Sequence, residues 1–278
     1  MLFKSRIILL LLSLFFLSQH VGASRVDTLQ VQSPSMKRSL EVLVVVPDAC
    51  IAQHRVSVLY LLHGHGGHAR SWLNLKPELR DMADRDSVLI VCPTGEASWY
   101  LDSPLKSDSR FETFVSSELV AYVDSHYATF TDRKHRAITG LSMGGHGALW
   151  LSIRHQDVFG AAGATSGGVD FTPFPTNWGL PVILGEQASH LALWQSHTVM
   201  SQLDKLQNEA LALIFDCGTD DFFYEVNCKL HEALLQRGIF HDFIARPGRH
   251  NGTYWKNSLD YQWMFFTKFF RGYRSALE

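Results

Sequence analysis

Apolar and polar positions follow two periods along the chain, and the changes from one to the other lay out the elements. Residues 26–33 and 39–46 alternate or run apolar with β-branched side chains, the pattern of an antiparallel strand pair, and Pro47 closes it. Two short apolar runs follow at 56–62 and 88–92, each stopping at a turn, His63-Gly64-His65-Gly66-Gly67 and Pro93-Thr94-Gly95. Runs this short and continuous predict strands buried on both faces. Between them 77–85 has helix-forming composition, and 111–127 sets Phe111, Phe114, Val115, Leu119, Tyr122 and Val123 on one helical face.

The alternation continues with a strand at 137–139, a helix at 144–154, a small-residue strand at 160–166 and a helix at 193–208. A strand at 211–217, a helix at 222–237, a strand at 241–245 and an amphipathic helix at 254–270 complete it. Residues 169–179 hold Pro173 and Pro175 and little periodicity, so a loop is expected there. No internal repeat is visible. Strands alternating with helices predict an α/β fold: a mostly parallel sheet covered on both faces, with its binding crevice at the carboxyl ends of the strands. One domain over residues 24–278 accommodates this, since such folds reach about 250 residues around one core.

At the N-terminus Lys4 and Arg6 precede an apolar run at 7–17, and Val21-Gly22-Ala23 supplies small residues before Ser24. This is the layout of a cleavable export signal over 1–23, and the run falls short of the about 20 residues that span a bilayer. A secreted or periplasmic product without a membrane span is expected. Composition, 46% hydrophobic and 19% charged, is that of a globular chain. A formal net charge of −2 leaves no basic stripe for phosphates, which argues against nucleic acid as a partner. Export opens disulfide chemistry to Cys50, Cys92, Cys217 and Cys228, whose three possible pairings the sequence does not separate. Nothing in the pattern sets an oligomeric state.

Candidate chemistry centres on Gly140-Leu141-Ser142-Met143-Gly144, a G-x-S-x-G between a predicted strand and a predicted helix. The bare motif arises in a chain of this length about one time in ten, so its context carries the meaning. Flanking glycines permit a sharp strand-to-helix turn that exposes the Ser142 hydroxyl, and the helix behind it adds a positive dipole end. A serine nucleophile needs a base, and the base an orienting acid, in the chain order Ser, Asp or Glu, His. Asp221, with Asp220 as competitor, follows the strand at 211–217; His250 sits in the loop Pro247-Gly248-Arg249-His250-Asn251. His231 falls in a helix and His241 in a strand, where packing roles are expected. Backbone N–H donors for an oxyanion are expected at Met143 and at His65, with Gly66 next. His63, His65 and His68 cluster without a carboxylate or Cys at a recognised zinc spacing, so no metal is expected.

Four stretches resemble the esterase D group of α/β-hydrolases: Tyr60-Leu61-Leu62-His63-Gly64, Gly140-Leu141-Ser142-Met143-Gly144-Gly145-His146-Gly147-Ala148-Leu149, Cys217-Gly218-Thr219-Asp220-Asp221-Phe222 and Pro247-Gly248-Arg249-His250. That group holds S-formylglutathione hydrolases, bacterial tributyrin and feruloyl esterases, and the antigen 85 mycolyltransferases. The resemblance implies an α/β-hydrolase fold, Ser142, Asp221 and His250 as the triad, backbone donors at Met143 and near His65, and no cofactor. Two departures stand out: Arg249 replaces a frequent Gly, and Asn251-Gly252-Thr253, a formal glycosylation sequon, precedes the aromatics Tyr254-Trp255.

Export argues against a cytoplasmic glutathione thioester. Similar secreted esterases act on acetyl or feruloyl groups of plant polysaccharides, which implies a short-chain acyl or carbohydrate-linked ester as substrate. Trp72, Trp99 and Tyr100 follow loops at the expected crevice and are candidates to stack on it. Acyl transfer to a sugar hydroxyl, as in the mycolyltransferases, is the alternative enzyme reading, and a non-catalytic secreted binding module is the reading outside enzymology.

Overall fold

The computed structural model describes residues 24–272, so the expected export signal lies outside the described residues. The chain forms β1 (Arg25–Ser33), β2 (Arg38–Val46), β3 (Ser57–Leu62), β4 (Val88–Pro93), β5 (Arg136–Gly140), β6 (Ala161–Thr165), β7 (Ala212–Gly218) and β8 (Asp242–Arg246). They make one eight-stranded sheet in the order β1-β2-β4-β3-β5-β6-β7-β8. The pairs β1–β2 and β2–β4 are antiparallel and every other pair is parallel. Leaving β3, the chain moves to β4 on one side and then to β5 on the other, so the crevice between β3 and β5 opens at their carboxyl ends.

Every residue of β3, β4, β5 and β6 is buried, as continuous apolar runs require. Alternate side chains feed two cores. Val42, Val58, Tyr60, Leu62 and Ile138 face one side with Phe114, Leu149 and Leu230, whereas Leu43, Leu59, Leu61 and Ile90 face the other with Met82 and Trp263. The helices Met143–Arg154 and Tyr224–Gln236 therefore cover one face, and Leu79–Asp86 and Gly252–Phe270 the other. Among the described residues no helix is long and apolar enough to cross a membrane. Cys50, Cys92, Cys217 and Cys228 are free thiols, and burial pushes Cys92 up to about 12.

Three regions differ from the pattern's expectation. The helix expected at 111–127 is interrupted by a π turn at Phe114–Glu118, where the Ser116 hydroxyl donates to the Glu112 carbonyl and competes with the regular ladder. The single helix expected at 193–208 is instead a helix at Gln187–Ser196 and a 3₁₀ segment at Met200–Lys205. Side chains end the first of these: Ser196 Oγ and His197 Nδ1 bond the Leu193 carbonyl and Thr198 Oγ1 that of Gln195. Short helices at Asp48–Ile51, Ser71–Leu75 and Leu180–Leu184 occupy stretches with no clear period.

Two buried carboxylates tie elements together. Asp216 on β7, wholly buried, accepts hydrogen bonds from Thr165 of β6 and from Ser258 and Gln262 of the closing helix, with Arg246 of β8 at 3.5 Å. Burial raises its carboxyl above the usual range. Glu112 joins its own helix to the Met143–Arg154 helix, accepting from Trp150 at 2.8 Å, Arg154 at 2.7 Å and His155 at 2.9 Å. Burial pushes Glu112 up, but the bonds from His155, Arg154 and Trp150 outweigh it and hold the carboxyl at about 2. A folded-state value below the ordinary 4.5 stabilises the fold fully above that pH, and the contribution is lost as pH falls toward about 2. Urea unfolding of the wild type is therefore expected to weaken across this window more steeply than that of Glu112→Gln, which has no carboxyl to protonate; parallel slopes would remove Glu112 from acid stability.

Candidate active site

The turn from β5 into the Met143–Arg154 helix sets Ser142 at φ 55°, ψ −117°, a conformation L-residues adopt only under constraint. The constraint is visible. Ser142 N–H donates to Thr165 O at 2.9 Å, and its carbonyl accepts from His146 N at 3.0 Å and Gly168 N at 3.2 Å. The turn also needs its glycines: a Cβ on Gly140 would lie 2.5 Å from the Gly144 backbone, and one on Gly144 would lie 2.4 Å from Leu62 O. Ser142 stands at the helix's positive end.

Asp221 and His250 arrive on neighbouring loops because β7 and β8 keep pairing past their ends, Thr219 N–H bonding Arg246 O and Asp220 N–H bonding Gly248 O. His250 Nε2 lies 2.9 Å from Ser142 Oγ, and His250 Nδ1 lies 2.9 Å and 3.0 Å from the two oxygens of Asp221. The Asp221 side chain is fully buried and accepts a further bond from Phe223 N–H at 2.9 Å. Asp220 turns outward, 65% exposed, 3.9 Å from the 77% exposed Arg249. Of the two acidic candidates, only Asp221 reaches the imidazole. Asn251 uses its amide oxygen to cap the closing helix through Tyr254 N–H. Trp255, five positions after His250, packs edge-on against it with ring centroids 4.9 Å apart.

The loop after β3 runs against this group: a Cβ on Gly64 would come within 3.3 Å of Ser142 Cβ. Among the described residues the N–H groups of Met143, His65 and Gly66 donate to no protein acceptor. His63 is committed to the backbone, Nε2 accepting from Gly95 N–H at 2.8 Å and Nδ1 bonding Gly64 O at 2.7 Å. Burial lowers it to about 4, so it stays neutral and holds the loop. His231, on the Tyr224–Gln236 helix, and His241, directly before β8, pair with each other at 2.7 Å.

Trp72, Trp99 and Tyr100, expected to line the crevice, are core residues instead, none more than 1% exposed. Each has its polar atom in use. Trp72 Nε1 donates to Leu62 O at 2.8 Å and Tyr100 Oη to His63 O at 3.1 Å, bracing the loop after β3 from behind. Trp99 Nε1 donates to Trp178 O, and its ring packs among His146, Phe171 and Trp178. Phe222 instead is an exposed aromatic beside the imidazole, 48% accessible, with its ring centroid 4.2 Å from that of His250. Trp178 stacks on Phe222 at 5.6 Å and Phe174 packs on Trp178 at 5.2 Å, forming a ledge beside the imidazole. The aperiodic loop at 169–179 supplies two of these rings, which is why the sequence pattern missed them; Phe222 directly after Asp221 was the available signal.

A serine on a strained strand-to-helix turn, bonded to a histidine that is bonded to an aspartate, on a mostly parallel sheet, defines the α/β-hydrolase class. Comparison with known proteins takes this further: the family model described as "Putative esterase" matches residues 33–266, and the chain belongs to that esterase family. It is an enzyme, a carboxylic ester hydrolase. The acetyl esterase of Caldicellulosiruptor saccharolyticus is 24% identical over 257 residues, covering 84% of this chain and 95% of that protein. An esterase of Mycobacterium tuberculosis is 27% identical over 239 residues, 74% of this chain but only 51% of its own length. Among solved structures, a ferulic acid esterase superposes with a TM-score of 0.76 at 27% identity, covering 89% of this chain and 98% of that one.

The geometry separates the two aspartates experimentally. Asp221→Asn is expected to lower kcat for 4-nitrophenyl acetate by about 10⁴, the scale of losing the orienting acid. Asp220→Asn removes only an exposed pair and is expected to stay within about twofold of wild type; the reverse order would reassign the acid.

Proposed function

We propose that this chain is a secreted serine carboxylesterase that forms an acyl-enzyme on Ser142 and hydrolyses short-chain acyl or carbohydrate-linked acetyl or feruloyl esters. The observation that carries the reading is the continuous chain of hydrogen bonds from Ser142 Oγ through His250 to Asp221. In this mechanism His250 Nε2 takes the Ser142 proton as Oγ attacks the ester carbonyl, and the Met143 and His65 N–H groups receive the oxyanion. His250 then gives the proton to the departing alcohol, and a water activated by the same imidazole releases the acid. Asp221 fixes the ring orientation and supports the imidazolium. The mature enzyme is residues 24–278, one domain, exported by the signal at 1–23.

The ledge of Phe222, Trp178 and Phe174 supports an ester with a flat or apolar portion, since a ring lying on Phe222 would rest beside the imidazole that works on the carbonyl. The names of the relatives, an acetyl esterase and a ferulic acid esterase, span the same range.

A fluorophosphonate probe and 4-nitrophenyl acetate turnover test the nucleophile. Wild type is expected to label and turn over, and Ser142→Ala to do neither while melting at a similar temperature; a mutant that retains both sinks the reading. Phe222→Ala is expected to lower kcat/KM for methyl ferulate by about 10-fold while changing that for ethyl acetate by less than about twofold. Equal losses on both esters would make Phe222 a support for His250 rather than a substrate platform.

A further inference from the structure

Asn227 lies in the first part of the Tyr224–Gln236 helix and is wholly buried. A carboxamide is a poor helix former, and the other buried positions following it on this helix, Leu230 and Leu234, are apolar. What the amide does there is specific. Its Nδ2 donates to two backbone carbonyls, Gly167 O at 2.8 Å and Phe223 O at 2.9 Å. Turning the amide over would set its oxygen against both carbonyls, so chemistry fixes the orientation.

Those carbonyls belong to the two turns that hold the reacting groups. The turn after β6 accepts Ser142 N–H on Thr165 O and returns Gly168 N–H to Ser142 O, fastening the nucleophile's backbone on both sides. The turn after β7 carries Asp221, whose Oδ1 accepts from Phe223 N–H and from His250. Gly167 and Phe223 are each one peptide from those fastening bonds.

We propose that Asn227 is a positioning residue whose amide clamps the turn supporting Ser142 to the turn carrying Asp221, setting the relative placement of nucleophile and acid–base pair. Its kinetic consequence rests on the esterase reading above; its geometric consequence does not. Without the clamp the turns keep the Ser166 N–H bond to Asp216 O and the Phe223 ring against Gly168, but lose the side-chain tie beyond the strand ends, and proton transfer from Ser142 Oγ loses its alignment.

The test compares Asn227→Ala and Asn227→Asp with Leu230→Ala, which deletes buried volume from the same helix without touching either turn, at equal folded fraction by thermal melting. In Asn227→Ala, kcat for 4-nitrophenyl acetate and the rate of fluorophosphonate labelling are expected to fall by about 100-fold, the scale of a misplacement near 1 Å. KM is expected to stay within about twofold, because the clamp touches no substrate. Asn227→Asp, which turns a carboxylate toward two carbonyls, is expected to lose more, and Leu230→Ala to keep wild-type kcat. The proton between His250 and Asp221 gives a readout independent of turnover: its downfield NMR resonance is expected in wild type and Leu230→Ala, and shifted or broadened in both Asn227 variants. Wild-type kcat in Asn227→Ala, or an equal loss in Leu230→Ala, overturns the clamp. A wild type that turns over no ester sinks the esterase reading instead, and the clamp then falls if the resonance is unchanged in Asn227→Ala.

Discussion

The backbone of Ser142 is held in a left-handed conformation that costs on the order of 1–3 kcal/mol, and the surrounding structure is arranged so that this turn has no alternative. Relaxing it would break the bond from Ser142 N–H to Thr165 O, and the turn is so tight that neither Gly140 nor Gly144 has room for a Cβ. The loop after β3 is pressed against the same turn and braced from behind by Trp72 and Tyr100. Three adjacent parallel strands, β3, β5 and β6, thereby converge on one residue. The remaining polar groups are placed relative to it.

Asp221 and His250 are placed by a different device. No strained turn is needed, because β7 and β8 continue their pairing into the loops and bring Asp221 and His250 into register. The closing helix begins directly after His250 with Asn251 as its cap, and is locked to the sheet through Ser258 and Gln262 on Asp216. Removing such a buried carboxylate leaves several donors unpaired, including part of Arg246, and a site of this kind is worth about 3–5 kcal/mol when one partner is lost. The orientation of His250 therefore draws on a network on the opposite side of the sheet from Ser142's helix.

The fold, and the residues that the structure brings together at Ser142, are legible because each has a local signature. Buried parallel strands are continuous apolar runs, the nucleophile sits in G-x-S-x-G, and Asp221 and His250 lie on loops after predicted strands. Burial and orientation have no local signature. Trp72, Trp99 and Tyr100 read as rim residues because they follow the right loops, yet those loops fold back and place the rings inside. The sequence favours Asp221 but leaves Asp220 as a competitor, and it is the turn geometry that sends one inward and the other to solvent. The break between Ser196 and Met200 was hidden by a helical pattern that Ser196, His197 and Thr198 end with their own side chains. Asn227 carries no signal in the sequence, because its two acceptors come from the chain 60 residues earlier and from the preceding turn.

The bond between His250 and Ser142 spans 108 positions of sequence. A chain emerging from synthesis presents Ser142 well before His250 exists, and the two can meet only once β7 and β8 have joined the sheet. Bringing such distant residues together carries a loop-closure cost that grows slowly with their separation. The hydrogen bond at Ser142 is accordingly a report on completed folding.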